Sequence, residues 1–185
     1  MNNTRFTTRR LVICAVIAAI YAAASLALPV LAFGSLQFRF SEALTLLPVL
    51  MPDAVIGVSV GCAVSNLIGA LTGLNPLGLP DAVIGTCATF LAAICSMKLG
   101  RVRWKGLPVL SALPPVLFNA LFLGAEFTFL YGGGLAAFLV FAAQIAFPEA
   151  VATFVLGLLL IRALERSGVA AWLGKEQGLS RPSSL

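Results

Sequence analysis

The 185-residue sequence contains no histidine, and only 10% of its residues are charged. Without an imidazole, no histidine-based metal site and no histidine-containing catalytic triad can be built. The four cysteines, Cys14, Cys62, Cys87 and Cys95, lie inside apolar runs. They show neither zinc-ligand spacing nor the framework of a secreted disulfide protein, and read as small reduced residues buried among helices. No GxxxxGK[ST] loop occurs, so the chain does not hydrolyse a nucleotide by itself. The scarcity of charge excludes most: soluble domains carry about 25% charged residues. Here 60% of residues are hydrophobic and mean hydropathy is +1.03. Such a surface must be solvated largely by lipid. The chain reads as an all-α integral membrane protein of one domain. Its net charge of +5 does not point to nucleic acid, because the basic residues sit at the ends of apolar runs, where they set membrane orientation.

What is present is a succession of apolar segments. Residues 1–10 are polar, with Arg5, Arg9 and Arg10, and form an amino-terminal segment. The run from Leu11 to Leu28 exceeds the apolar core of a signal peptide and is expected to stay as a first span. Ala15, Ala19, Ala23 and Ala27 form a small-residue stripe on one of its faces, the kind that lets another helix approach closely in lipid. Further spans are expected at 41–51, 53–72, 81–97, 107–130 and 136–164. Pro52-Asp53 opens the third, with Asp53 expected to cap it at the cytoplasmic end. Pro114-Pro115 interrupts the fifth early. The transmembrane domain therefore covers 11–166, and the tail, 167–185, is expected to be loose in water.

Charge parity sets the topology. Loops rich in Lys and Arg remain cytoplasmic. The amino terminus, the loop with Lys98, Arg101, Arg103 and Lys105, and the carboxyl tail are therefore all placed inside. That requires an inward crossing between 40 and 52, where only the short 41–51 segment is available. The expectation is a six-transmembrane-helix bundle with both termini cytoplasmic and with Arg39 alone among the basic residues outside.

Polar side chains inside spans are costly, about 2.5–3.5 kcal/mol for an acid at mid-helix, and mark candidate sites. At about 1.5 Å per residue, Asn66, Asn119, Glu126, Gln144 and Glu149 all fall in the outer half of the membrane, with Glu42 and Asp81 at outer helix starts. Gln37 and Arg39 complete the set. Four carboxyls against one cation, Arg39, call for a ligand rich in N–H donors or positive charge. A flat nucleobase meets a carboxylate two-pronged, as a guanidinium does, and Phe33, Phe38, Phe40, Phe118 and Phe122 offer stacking faces. Arg39 is expected to steady Glu42, three residues on. Plainer readings stand beside these: Glu42 and Asp81 as helix-dipole charges, Asn66 and Asn119 as interhelical hydrogen bonds, and Glu126 as a wet surface group.

Four stretches carry a resemblance: FGSLQFRFSEALTLLP (33–48), GLPDAVIGTCATFLAA (78–93), LPPVLFNALFLGAEFTFLYG (113–132) and PEAVATFVLGLLLIRALE (148–165). In these the chain resembles the queuosine-precursor transporter family, substrate-binding S-components of energy-coupling-factor transporters. The resemblance implies a six-helix S-component fold in a bacterial cell membrane and binding of a 7-deazaguanine base, a queuosine precursor or queuine. It also implies partnership with a transmembrane coupling protein and two cytoplasmic ATPases, which use the ATP; the chain itself needs no cofactor or metal and is not an enzyme. In such components a small-residue face on the first helix docks the coupling protein, which Ala15, Ala19 and Ala23 fit. Two alternatives remain at this stage. One is a stand-alone ion-coupled carrier using Glu126 or Glu149, and the other a non-transporting membrane scaffold.

Overall fold

The computed structural model describes residues 7–34 and 37–176; of the expected polar segments 1–10 and 167–185, residues 1–6 and 177–185 lie outside these. The described residues are helical. Five stretches are long and apolar enough to cross a membrane: Thr8–Ala27, Ala54–Leu71, Leu79–Leu99, Val109–Tyr131 and Gly134–Arg166. Each falls on one of the long apolar runs of the sequence.

Helix α1 (Thr8–Ala27) buries Cys14, Ile17, Tyr21 and Ser25, spaced at three and four residues along one face. The short α2 (Pro29–Ala32) follows. Alpha-helix α3 (Ala54–Leu71) meets α1 across Gly57 and Gly61. A Cβ at Gly61 would stand 2.7 Å from the Tyr21 Cβ and 2.8 Å from the Ala18 carbonyl oxygen. Two glycines four residues apart thus let the backbones approach as no larger residue would permit. The outward face of α1 carries Ala15, Ala19 and Ala23, all exposed.

Helices α4 (Leu79–Leu99), α5 (Leu113–Tyr131) and α6 (Gly134–Ala150) continue the bundle, each packed on its predecessor. Pro114 and Pro115 mark an early change of winding within the fifth span. A 3-10 turn, Val109–Ala112, delivers the chain to them and they occupy the first turn of α5, where a missing N–H costs nothing. The last apolar run is not one regular helix. After Pro148 the chain loosens into a π-helical segment, Val151–Gly157, before α7 (Leu158–Arg166) resumes the ordinary winding. Proline removes a backbone donor and crowds the preceding turn.

Segment 41–51 takes a form that apolar pattern does not announce. Phe40–Val49 is a ten-residue 3-10 helix, much longer than the usual few residues. At about 2.0 Å per residue it extends roughly 20 Å, against about 15 Å for the same residues in an α-helix. Its side chains are buried nearly all round, Ser41, Glu42, Ala43, Thr45, Leu46, Leu47 and Pro48 among them. It packs on α4, α1 and the π segment, and Gly157 admits Leu46 at 3.2 Å and the Ala43 carbonyl at 3.3 Å from where a Cβ would stand. Tertiary packing, not local propensity, fixes this winding.

Three local expectations are corrected. The Asp53 side chain does not cap α3; it pairs with Arg10 of α1, because α1 and α3 lie close enough for the guanidinium to reach it. The tail is ordered at its start: Val169–Glu176 forms α8, which buries Ala170 and Leu173 against the bundle and sets Trp172 beneath the Arg9 guanidinium at 5.1 Å. Of the cysteines only Cys14 and Cys62 are buried, while Cys87 is exposed on the apolar exterior of α4.

Candidate functional site

The sequence crowds Gln37, Arg39, Ser41 and Glu42 between greasy segments, and the fold turns that stretch inward. All four side chains are buried. Two polar groups form around them.

The first is built on Arg39 and Asp81. The Arg39 Nη2 donates to Asp81 Oδ2 at 3.0 Å, and its Nε donates to the Ala32 carbonyl at 3.1 Å. The guanidinium lies over the Phe33 ring, 5.7 Å from its centroid. Asn75 Nδ2 donates to the same Asp81 oxygen at 2.6 Å, and Asn66 Nδ2 to the Asp81 carbonyl at 3.1 Å. The direct ion pair of Arg39 is therefore with Asp81 of α4, while its charge acts on Glu42 through space. The extended backbone at Arg39 carries its side chain towards the start of α4, away from the winding that holds Glu42. Gly85, one turn after Asp81, makes the space: a Cβ there would lie 2.8 Å from Asn66 Nδ2, 3.2 Å from Asp81 Oδ1 and 3.5 Å from Arg39 Nη1.

The second group is built on Glu42 and Glu149. Glu42 is fully buried. Its Oε1 accepts from the Tyr21 hydroxyl of α1 and, at 3.3 Å, from the Thr89 hydroxyl of α4. Asn119 of α5 stands beside both Glu42 and Glu149 and interacts with each, yet neither of its amide atoms is in hydrogen-bonding geometry. Glu149 precedes the π segment, and the Thr153 hydroxyl is shared between the Glu149 and Ala112 carbonyls, at 2.9 and 3.1 Å. The π winding thus ties Glu149 to the entrance of α5.

Several atoms in these groups are buried without a partner: both amide atoms of Gln37 and of Asn119, Arg39 Nη1, Glu42 Oε2, Asp81 Oδ1 and Glu149 Oε1. Buried polar atoms are nearly always paired, and each left unpaired costs about 1–3 kcal/mol. Gln37 adds backbone strain, with φ at 45°, the left-handed region that a non-glycine residue adopts rarely. The unpaired groups on the 3-10 helix, α4, α5 and α6 make these two clusters the candidate site for a polar ligand.

Not every expected residue joins it. Asn66 is used up in bracing Asp81, and so supports the site instead of facing a ligand. Gln144 is exposed at a separate cleft of about 440 Å3 with Phe33, Pro76, Phe127, Tyr131 and Phe141. Glu126 is buried with both oxygens unpaired, on an apolar groove of about 520 Å3 between α4 and α5 that includes Pro80, Ile84, Phe122 and Phe129; it is not a wet surface group. Of the aromatic residues, Phe33 backs Arg39, and Phe38 and Phe40 meet edge to face, 4.7 Å apart. Tyr21, Thr89 and Asn75 are the polar residues that sequence reasoning missed. Tyr21 carried one signal, as the only aromatic residue in an alanine-rich span.

A family model described as QueT transporter matches residues 11–166. No curated protein and no solved structure matches the chain.

Proposed function

The chain belongs to the QueT transporter family, and on that premise we propose that it is the substrate-specific S-component of an ATP-driven, energy-coupling-factor importer that takes up a 7-deazaguanine base, a queuosine precursor or queuine. That it is a multi-pass membrane transporter follows from the family and from the five apolar helices. In this reading the protein sits in the bacterial plasma membrane with both termini cytoplasmic. The 3-10 helix completes six spans within 11–166, its extended winding compensating in part for its ten residues. The chain catalyses nothing; ATP is consumed by two partner ATPases, and a transmembrane coupling protein docks on the exposed Ala15, Ala19 and Ala23.

The observation that carries the substrate assignment is the row Glu42, Asn119 and Glu149, three buried side chains from three elements with unpaired atoms on each. The ring N–H and 2-amino group of a deazaguanine fit the free oxygen of a carboxylate, and a carboxamide complements its carbonyl edge. Binding beneath the stretch from Val30 to Phe40 would be followed by reorientation of the bundle against the coupling protein.

Uptake of labelled base is the test. It is expected to vanish when the ATPase module is removed, and uptake that persists refutes the ATP-driven reading. Persistence together with collapse on dissipating the proton gradient would favour an ion-coupled carrier, for which Glu126, buried and unpaired, is the specific candidate. The purified chain is expected to gain thermal stability with deazaguanines, and the absence of any shift would favour a scaffold.

A further inference from the structure

The loop between α4 and α5 is drawn into a tight hairpin. Trp104 and Leu107 exchange backbone hydrogen bonds at 2.9 and 3.0 Å, and Lys105 and Gly106 form the tip, with φ at 50° and 81°. Asn, Asp and Gly are the usual residues of such a tip, so lysine contributes a charge there and not an easier turn. Arg103 braces the tip: its Nη1 donates to the Gly106 carbonyl at 2.9 Å and pairs with Glu165 of α7 at 2.8 Å. The hairpin is thereby held against α7, and a cavity of about 270 Å3 lies between them, lined by Lys105, Leu107, Arg162, Glu165 and Arg166. Glu165 is already engaged by Arg103. Among the described residues no ion pair engages Lys105, Arg162 or Arg166. Like charges gathered on one wall repel, and an anion between them removes the repulsion.

A second hollow, of about 300 Å3, adjoins the same hairpin, and its lining is apolar: Val102, Trp104, Val109, Leu110, Leu113 and Phe154. It runs from the hairpin to the first turn of α5 and to the π segment. The Lys105 ammonium stands 5.0 Å from the centroid of the Trp104 ring, so the charged lining of one hollow meets the apolar lining of the other. Trp104 is exposed, and tryptophan gathers where a membrane meets water. In the orientation proposed above, the cations lie at the level of the cytoplasmic headgroups and the apolar hollow at that of the acyl chains. A free anion leaves the apolar hollow empty, and an uncharged chain leaves the cations unopposed. We propose that hairpin and α7 form a site for one anionic phospholipid of the cytoplasmic leaflet, its phosphate received by Lys105, Arg162 and Arg166 and an acyl chain laid along Trp104 and Phe154. Basic pockets between helices on the cytoplasmic side take such headgroups. The bound lipid ties the loop to the last span, and this assignment stands apart from the base-binding reading.

The experiment titrates the purified, delipidated full chain in detergent with phosphatidylglycerol, with phosphatidylcholine of the same chain length and with inorganic phosphate, reading bound ligand by native mass spectrometry. Phosphatidylglycerol is expected to bind at least about tenfold tighter than phosphatidylcholine. Lys105→Gln and Arg162→Gln are each expected to weaken it about fivefold, the step that about 1 kcal/mol per cation represents, while Arg162→Lys keeps it. Lys98→Gln is the control, because Lys98 lines a different cavity with Pro48 and Met97, and it is expected to change nothing. Leu110→Trp fills the apolar hollow with every cation in place and is expected to weaken phosphatidylglycerol about fivefold or more. Val102→Trp, at an exposed position of the same lining, serves if Leu110→Trp does not fold, which circular dichroism melts establish. Equal affinity for the two lipids overturns the proposal, as it would if the cations served an acidic segment of a partner protein. A Lys98→Gln loss as large as that of Lys105→Gln shows diffuse attraction and overturns the built pocket. Inorganic phosphate bound as tightly as phosphatidylglycerol, or lipid affinity untouched by the folded tryptophan variant, assigns the cavity to a free anion and overturns the lipid.

Discussion

Gly85→Ala tests the architecture of the Arg39–Asp81 group with the smallest possible addition. The new methyl would stand 2.8 Å from Asn66 Nδ2 and 3.2 Å from Asp81 Oδ1, so Asn66 must turn away. Turning breaks its hydrogen bond to the Asp81 carbonyl and leaves a buried amide unpaired, a loss of about 1–3 kcal/mol. Alanine in a helix interior returns up to about 1 kcal/mol relative to glycine. The expected net loss is therefore about 1–2 kcal/mol, or a fall of roughly 2–8 °C in melting temperature for a chain of this size. A double-mutant cycle isolates the cause. With Asn66 already cut back to alanine the methyl has room, so Gly85→Ala in that background should be neutral or stabilising. Melting curves in detergent for the four proteins supply the measurement. Equal effects of Gly85→Ala in both backgrounds would refute the steric origin, and a more stable single variant would refute the close approach itself.

Tyr21→Phe removes one of the two hydroxyls that hold Glu42 and should lower stability by about 1.5–3 kcal/mol, the range for hydrogen bonds to charged groups, measurable by chemical denaturation. Arg39→Met leaves Asp81 buried and uncompensated and should cost about 3–5 kcal/mol, whereas Arg39→Met with Asp81→Asn should cost clearly less; the same denaturation series decides between them. Ala19→Leu enlarges an exposed position of α1 and touches nothing inside the bundle. It should leave ligand affinity unchanged while abolishing uptake with the complete ATPase module, and normal uptake would remove that face from the docking surface.

The five long helices were legible because each is a long apolar run bounded by glycine, proline or basic residues, the strongest signal a membrane sequence carries. The polar positions were legible for the same reason, since a carboxyl or carboxamide stands out against alanine and leucine. Their pairing was not. Arg39 lies three residues from Glu42 in sequence, yet it reaches Asp81, because the chain enters the 3-10 helix extended and the start of α4 is brought beside it. Tyr21 escaped notice because a tyrosine is apolar enough to belong in a span; only the fold shows its hydroxyl turned to Glu42. Gln144 and Glu149 are five residues apart, but one faces outward and the other inward. The 3-10 and π windings left no trace in apolar periodicity, since both are imposed by neighbours.

Helix α1 has two faces with different company. Tyr21 points inward and holds Glu42, while Ala19, two residues earlier and about 200° around the axis, points outward. A rigid helix cannot roll at one face without rolling at the other. Any partner seated on the alanine face that turns α1 by a few degrees also moves the Tyr21 hydroxyl relative to the carboxyl it grips. A ligand that shifted Glu42 would bias the same rotation from the opposite side, and the two effects would then have to be equal in free energy. Helix α1 is in this sense an axle, through which an empty site and a filled one can present different outer faces without any change of backbone between them.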